Sequence, residues 1–281
     1  MLDLVLDAIP LAIVASVPLL LAVQGELVVQ RGGIINLGIE GTMLVAAMTA
    51  VLAAQATDSV LLGFAGGIAG ALLVALLFGT FVILLRTDQI VTGTAINLLA
   101  LGLTSFIYRE LQQDGVFVDS IPRIEHDVVV PLAWIGIPIV LAILLWNTTF
   151  GLRLRACGEN PDAVAASIRS HRALALGIEA LLAGLAGAYL SLGLSSGFAE
   201  NMTSGRGFIA LSIVIFGRWK VKGALLGTAV FGLAAALQYA MQAASSGIPF
   251  HLLLALPYVV TLAILCGVAG RVRAPEALGK N

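Results

Sequence analysis

The sequence predicts an all-α polytopic membrane protein with about nine membrane segments, one short or discontinuous, with the N-terminus outside and the C-terminus inside. Three observations predict it. The 281 residues are 59% apolar and 11% charged, with a mean hydropathy of +1.04, where an ordinary soluble domain carries about 25% charged residues. Apolar runs of about 20 residues recur along the chain, each long enough to cross a hydrocarbon core of about 30 Å as a helix. Finally, the Lys and Arg residues collect in alternate links, which orients the chain by the positive-inside rule.

The expected segments are Leu4 to Val23, Ile34 to Ala54, Leu61 to Leu85, Ile90 to Tyr108, Pro131 to Thr148, Ala173 to Ser195, Phe208 to Phe216, Gly223 to Met241, and His251 to Val268. The first carries Asp3 and Asp7 where a signal peptide would carry a basic stretch, so it is kept as a helix. The second opens through Gly32, Gly33, Gly38 and Gly41, which interrupt its helix. Small residues four apart recur at Gly63/Gly67, Gly66/Gly70, Gly193/Gly197 and Gly223/Gly227. They suit close helix packing within the chain, because lipid provides little hydrophobic drive for helix association. The seventh has only nine residues, about 14 Å of helix, and needs irregular backbone packed against protein. Without that crossing Arg271 and Arg273 would lie outside, so the charge pattern requires it.

The links after the first, third, fifth, seventh and ninth segments hold Arg31; Arg86; Arg153, Arg155, Arg169 and Arg172; Arg218, Lys220 and Lys222; and Arg271, Arg273 and Lys280. The opposite links hold only Arg109, Arg123 and Arg206, so 12 of the 15 basic residues share one side. The opposite link from Glu110 to Val130 is acidic through Asp114, Asp119, Glu125 and Asp127. It reads either as a plain connector or as a lid or docking surface.

Catalysis is not expected. The chain has no GxxxxGK[ST] phosphate loop and no HExxH; His126, His171 and His251 are scattered, and Cys157 and Cys266 form neither a metal motif nor a redox pair. Candidate functional residues are instead polar groups set in apolar runs. Asn36 and Glu40 lie four apart and share a helix face. A carboxylate there needs a partner, and the pair is either a helix–helix clamp or part of the translocation path. Thr92, Thr94 and Asn97 place neutral hydrogen-bonding groups in the fourth segment, for a neutral solute or for bonds between helices. Ser204 is a candidate cap for the short helix after Gly207 and, with Gly205, gives this stretch the texture of a broken helix near a transport site. Glu179 lies seven residues beyond Arg172, about 10 Å along a helix; pairing with an interfacial arginine is the preferred reading over lining the inner path.

The stretch Gly151 to Ser170, GLRLRACGENPDAVAASIRS, is a polar insert in an otherwise apolar chain. Asn160 is a candidate N-cap, with Pro161 at the first helical position of a short helix from Asp162 to Ile168. The flanking Arg153, Arg155, Arg169 and Arg172 either hold lipid headgroups or frame a docking helix for a force-supplying partner. The whole chain, 1–281, is expected to be a single transmembrane domain carrying this insert at 151–170.

Three runs in order, GGIINLGIEGTMLVAAM, LRLRACGENPDAVAASI and SGRGFIALSIVIFGRWKVKGALLG, resemble the permease subunits of bacterial ABC importers in the branched-chain amino acid and ribose group. The first points to the nucleoside or simple-sugar branch served by basic-membrane-protein type binding lipoproteins. The resemblance covers Arg31 to Gly227, and it implies half of a translocation path in the bacterial cytoplasmic membrane. Asn36 and Glu40 match the family's INxGxEG motif, and Gly207 to Gly217 its short helix. The Arg155 to Ser167 region is similar to a cytoplasmic coupling helix, which implies coupling roles for Arg153, Arg155, Gly158, Glu159, Asn160, Pro161, Ala163 and Ile168. The resemblance also implies a second permease subunit, a cytoplasmic ABC ATPase that holds ATP and Mg, and an extracytoplasmic substrate-binding protein. No cofactor is expected in this chain and no nucleic acid among its partners. With no helix ahead of Leu4, the chain is similar to the smaller of two dissimilar subunits. Alternatives are a sugar or branched-chain amino acid permease of the same kind, an ion-coupled carrier working alone, and a channel or scaffold.

Overall fold

The computed structural model describes residues 2–113, 124–195, 197–243, 259 and 273–280. Every regular element among the described residues is helical, with no strand. In order the helices are α1 (Leu2–Ala15), α2 (Val17–Arg31), α3 (Ile39–Thr57), α4 (Val60–Gly79), α5 (Gln89–Gln113), α6 (His126–Pro131), α7 (Ile137–Asn147), α8 (Thr149–Glu159), α9 (Ile168–Tyr189), α10 (Arg206–Phe216) and α11 (Val221–Ala243). Short π-helical turns extend α4 (Thr80–Leu84) and α9 (Leu190–Leu194) and join α6 to α7 (Leu132–Gly136); a 3-10 turn, Pro161–Ser167, joins α8 to α9.

Six of these continuous spans are long and apolar enough to cross a membrane: Ile39–Thr57, Val60–Leu84, Gln89–Gln113, His126–Asn147, Pro161–Leu194 and Val221–Gln238. The number rises to seven when Ile9–Ala15 and Val17–Arg31, bent by 50°, are taken as one span. This corrects the expected number of about nine. Phe208 to Phe216 lies in an 11-residue helix, about 16 Å long and too short to span alone. The expected ninth segment, His251 to Val268, and residues 114–123 of the acidic link lie outside the described residues.

Segment boundaries moved for identifiable reasons. The bend at Ser16 precedes Pro18, whose missing N–H and ring interrupt the helical ladder. Beyond it α2 does not stop at Val23 but runs on to Arg31, taking Gln24, Glu26 and Gln30 into the interior. The expected second segment starts late, because residues 32–38 form turns around Gly33 (φ 86°) before α3 begins. Between α3 and α4 the chain reverses at Asp58, left-handed at φ 48°, and the Ser59 hydroxyl accepts from the Leu62 N–H at 3.5 Å.

The core is α2 packed on α9, with α3 and α4 closing around α9; α5 covers α3, α10 lies on α2, and α1 pairs with α11. Close contact here depends on small residues. A Cβ at Gly184 of α9 would lie 2.7 Å from the Ile68 Cα of α4, and one at Gly67 would lie 3.0 Å from the Ala188 Cβ. Such contact replaces the hydrophobic drive that lipid does not supply. The outward faces of α4 and α5 expose Leu61, Leu73, Val91 and Leu98, as suits surfaces that meet acyl chains.

Candidate functional site

The turn between α2 and α3 gathers the polar interior. Asn36 is buried; its Nδ2 donates to Glu179 Oε2 at 2.8 Å, its Oδ1 accepts from the Gly38 N–H at 2.9 Å, and its own N–H donates to Glu26 Oε1 at 3.3 Å. Glu26 Oε1 also accepts from Gln30 Nε2 at 2.8 Å, and Gln30 Oε1 accepts from Trp219 Nε1 at 2.6 Å. One connected network therefore joins α2, the 32–38 turn, α9 and the link after α10. Glu179 does not pair with Arg172. It lies too deep in the bundle, while the Arg172 guanidinium donates to Gly32 O at 3.1 Å and to Lys280 O at 3.3 Å.

Glu40, in the first turn of α3, is buried and faces the N-terminus of α10. Its Oε1 accepts from the Gly205 N–H at 2.7 Å and its Oε2 from the Gly207 N–H at 2.6 Å. A carboxylate at this position satisfies amides that have no intrahelical partner and complements the positive end of the helix dipole. Gly207 is required by proximity, since a Cβ there would lie 2.7 Å from the Glu40 Cα. The expected cap, Ser204, does not cap: its hydroxyl donates to Asn201 O at 3.2 Å, and Gly205, left-handed at φ 82°, holds the N-cap position. The carboxylate from α3 has displaced the local hydroxyl.

Asn97 joins the same region from α5, donating from Nδ2 to Leu37 O at 2.7 Å and accepting at Oδ1 from the Gly41 N–H at 2.8 Å. Thr92 and Thr94 stand apart. Their hydroxyls donate back to Asp88 O and Ile90 O on their own helix, and Thr94 is exposed. Asn36, Glu40 and Asn97 thus converge on the start of α3; Thr92, Thr94 and Ser204 do not bond to it.

The short helix completes a passage between two ends of the bundle. At one end Arg109 of α5 forms an ion pair with Glu200 at 2.9 Å. At the other, Arg31 Nε donates to Trp219 O at 2.7 Å. Residues 197–205 descend as turns from the first end to Glu40, and α10 continues to the second, where Arg218 and Trp219 adopt left-handed backbone.

The 151–170 insert sits at that second end. Thr148 caps α8, its hydroxyl accepting from the Gly151 N–H at 3.1 Å. Asn160 does not cap with its side chain; its N–H closes α8 onto Ala156 O at 2.8 Å. Pro161 does hold the first position of the next turn, which is 3-10 and interrupted at Val164 (φ −130°), and so is not the α-helix expected from Asp162 to Ile168. Arg153, Glu159, Asn160 and Ala163 are exposed, Arg155 and Ile168 are half-buried, and Gly158 is buried. The Arg155 guanidinium lies 5.8 Å from the Trp146 ring centre, and Glu159 meets Arg31 at 3.7 Å. The C-terminal stretch closes over the same end, with the Ala277 N–H donating to Gly158 O at 2.8 Å and the Gly279 N–H to Gly33 O at 3.1 Å. Cys157 is buried here, and burial pushes its thiol up from the usual value.

Residues 8–269 match the family described as branched-chain amino acid transport system, permease component. The chain belongs to this permease family. The permease is similar to the guanosine ABC transporter permease protein NupQ of Bacillus subtilis, 32% identical over 96% of this chain and 94% of that one. It is also similar to the nucleoside ABC transporter permease protein NupC of Lactococcus lactis, 32% identical over 96% and 94%. A third relative is the putative glucose ABC transporter permease protein TsgC13 of Haloferax volcanii, 34% identical over 82% and 76%. No solved structure matches.

The permease is therefore a multi-pass subunit of an ABC importer in the cytoplasmic membrane and a transport protein rather than an enzyme. Among its described residues no group of three or more His, Cys, Asp or Glu side chains forms a metal site. Sequence reasoning missed Glu26, Gln30 and Trp219 of the permease's buried network. Glu26 and Gln30, four apart in the run AVQGELVVQR, carried the same signal as Asn36 and Glu40. Ending the first segment at Val23 hid it.

Proposed function

We propose that this chain is one of two dissimilar permease subunits of an ATP-driven importer for nucleosides or related simple sugars. In this reading the 151–170 insert faces the cytoplasm and docks on the ATPase. The observation that carries it is the connection between insert and core. Glu159 of the insert meets Arg31, and Arg31 bonds the link that ends α10. The other end of α10 is held by Glu40. Through Arg31 the insert is thereby tied to the link that ends this half-membrane helix, while Glu40 fixes the other end against α3. Coupling needs such an element with two arrangements that its partners favour unequally.

Asn36, Glu40 and Asn97 serve in this reading as the frame that fixes α10 beside the path, and Thr94 and Ser204 are the exposed residues of the set. The named relatives, two for nucleosides and one putatively for glucose, support a neutral, hydroxyl-rich solute; its delivery by an extracytoplasmic binding lipoprotein is part of the same proposal. The test is reconstitution of the full assembly in proteoliposomes, measuring ATP hydrolysis and uptake of labelled guanosine or glucose. Arg155→Glu and Pro161→Gly are expected to lower the stimulation of ATPase by loaded binding protein at least fivefold while membrane insertion persists. Unchanged stimulation in both variants would remove the coupling assignment. Uptake by this chain without an ATPase would replace the importer with a carrier.

A further inference from the structure

Residues 275–280 bond to three separate elements at the insert end. They form two successive turns, in which the Leu278 N–H donates to Pro275 O and the Lys280 N–H to Ala277 O, each at 3.0 Å, with Gly279 left-handed at φ 76°. From these turns the Ala277 N–H donates to Gly158 O of the insert at 2.8 Å, and the Gly279 N–H to Gly33 O of the turn before α3 at 3.1 Å. Lys280 O accepts from the Arg172 guanidinium of α9 at 3.3 Å. Pro275 and Ala277 are buried, and half-buried Leu278 packs on the core. Irregular stretches fray unless they are tied down; this one is tied on three sides.

Each bond meets a need of the element it reaches. Gly158 lies in the last turn of α8, where carbonyls have no intrahelical partner. Arg172 is 8% exposed, and Gly32 O and Lys280 O together satisfy its guanidinium. The stretch therefore completes the junction between the insert, the turn and α9. Direct contacts between the insert and the turn region are of another kind. A Cβ at Gly32 would lie 2.8 Å from the Leu154 Cδ1, a packing contact that resists approach. The Glu159–Arg31 pair is 3.7 Å long and half exposed, and such pairs are weak. Hydrogen bonds from one segment to both partners also resist separation.

We propose that residues 275–280 are a strap that makes the insert and the 32–38 turn move as one body. The proposal rests on the reading that the insert docks on the ATPase. The turn carries Asn36, which holds Glu26 and Glu179, and it leads into Glu40, which holds the start of α10. A displacement of the insert then reaches the start of α10 through Gly158, Ala277, Gly279 and Gly33, beside the route through Arg31 to its far end. The contacts of the strap with the insert and the turn are backbone bonds, so the device depends on the strap's conformation, and Gly279 supplies the left-handed residue that its second turn requires. Glu276 of the strap and Glu159, Asn160 and Asp162 of the insert line one cavity of about 580 Å³, so the strap borders the face that the insert presents.

The test uses the whole importer in proteoliposomes with loaded binding protein. One variant lacks residues 275–281; the other is Gly279→Val, which sets a β-branched side chain at a left-handed position. Stimulation of ATP hydrolysis by the binding protein is measured, together with hydrogen exchange at residues 32–38 and 151–170 with and without ATP. In the wild type ATP is expected to change exchange in both stretches. In both variants the ATPase stays bound and the response at 151–170 persists, while the response at 32–38 and the stimulation each fall at least fivefold. General loosening would raise exchange at 32–38 in both nucleotide states and leave their difference in place. A wild-type response at 32–38 in both variants, unchanged stimulation, or loss of the bound ATPase would overturn the strap. A wild type that responds at 151–170 and not at 32–38 would overturn the strap alone, whereas no response at 151–170 would remove the docking reading and the strap with it.

Discussion

Glu26 of α2 and Glu179 of α9 are both buried in the bundle, 0% and 1% exposed, and Asn36 bridges them, its N–H donating to Glu26 Oε1 at 3.3 Å and its Nδ2 to Glu179 Oε2 at 2.8 Å. Glu26 Oε2 and Glu179 Oε1 find no N–H or hydroxyl donor. Gln30 and Asn36 donate to the other oxygen of each, Glu26 Oε1 and Glu179 Oε2.

Glu179→Gln is expected to preserve the fold, because its carboxamide oxygen still accepts from Asn36 Nδ2. Glu179→Ala leaves the buried Asn36 amide without its acceptor, and losing a buried partner costs about 1–3 kcal/mol. Thermal unfolding in detergent checks both, and Ala tolerated as well as Gln would show that this bond does not hold the turn to α9.

At the start of α10, Glu40→Ala strips the acceptor from the Gly205 and Gly207 amides at once. The expected loss is about 2–4 kcal/mol, summed over two unsatisfied donors and the helix dipole. Glu40→Gln keeps one acceptor and is expected to fall between wild type and Ala. Gly207→Ala should match Glu40→Ala, since its Cβ would collide with the α3 backbone. An unfolding temperature unmoved by Gly207→Ala would show that α10 does not press on α3.

The two contacts of Arg31 should separate cleanly. Glu159 stands 3.7 Å away and is half exposed, so Glu159→Gln is expected to change stability by less than about 1 kcal/mol. Arg31→Met also loses the bond to Trp219 O and the face of Trp146, and a bond from a charged donor is worth about 1.5–3 kcal/mol. A larger effect from Glu159→Gln than from Arg31→Met would reverse this order.

Hydrogen bonding to Arg109 holds the Glu200 carboxyl below the usual carboxylate range. A lowered value in the folded state means that the contribution is present above the ordinary carboxylate value and is lost as pH falls through the lowered one. Hydrogen exchange at residues 201–205 is therefore expected to quicken on acidification in wild type. Arg109→Gln should abolish that pH response, and its persistence would assign it to another group.

The membrane class followed from composition alone, because a chain so apolar and so poorly charged has no soluble way to satisfy its backbone. The polar insert at 151–170 and the glycine-broken start of α3 were equally legible, each being a local departure from a long apolar run. Helix number and ends were not. Whether Gln24 to Arg31 continues α2 depends on its polar residues finding partners such as Trp219 for Gln30, 189 positions away in the sequence, and no local pattern carries that pairing. The cap of α10 shows the same limit: Ser204 offered a nearby hydroxyl, but a carboxylate brought in from α3 supplies two stronger acceptors. Sequence by itself determined that the chain lives in lipid and which residues are too polar to face it. Only the tertiary structure decided which of those residues meet, because inside a bilayer a buried polar group is satisfied by whatever donor or acceptor packing brings within about 3 Å.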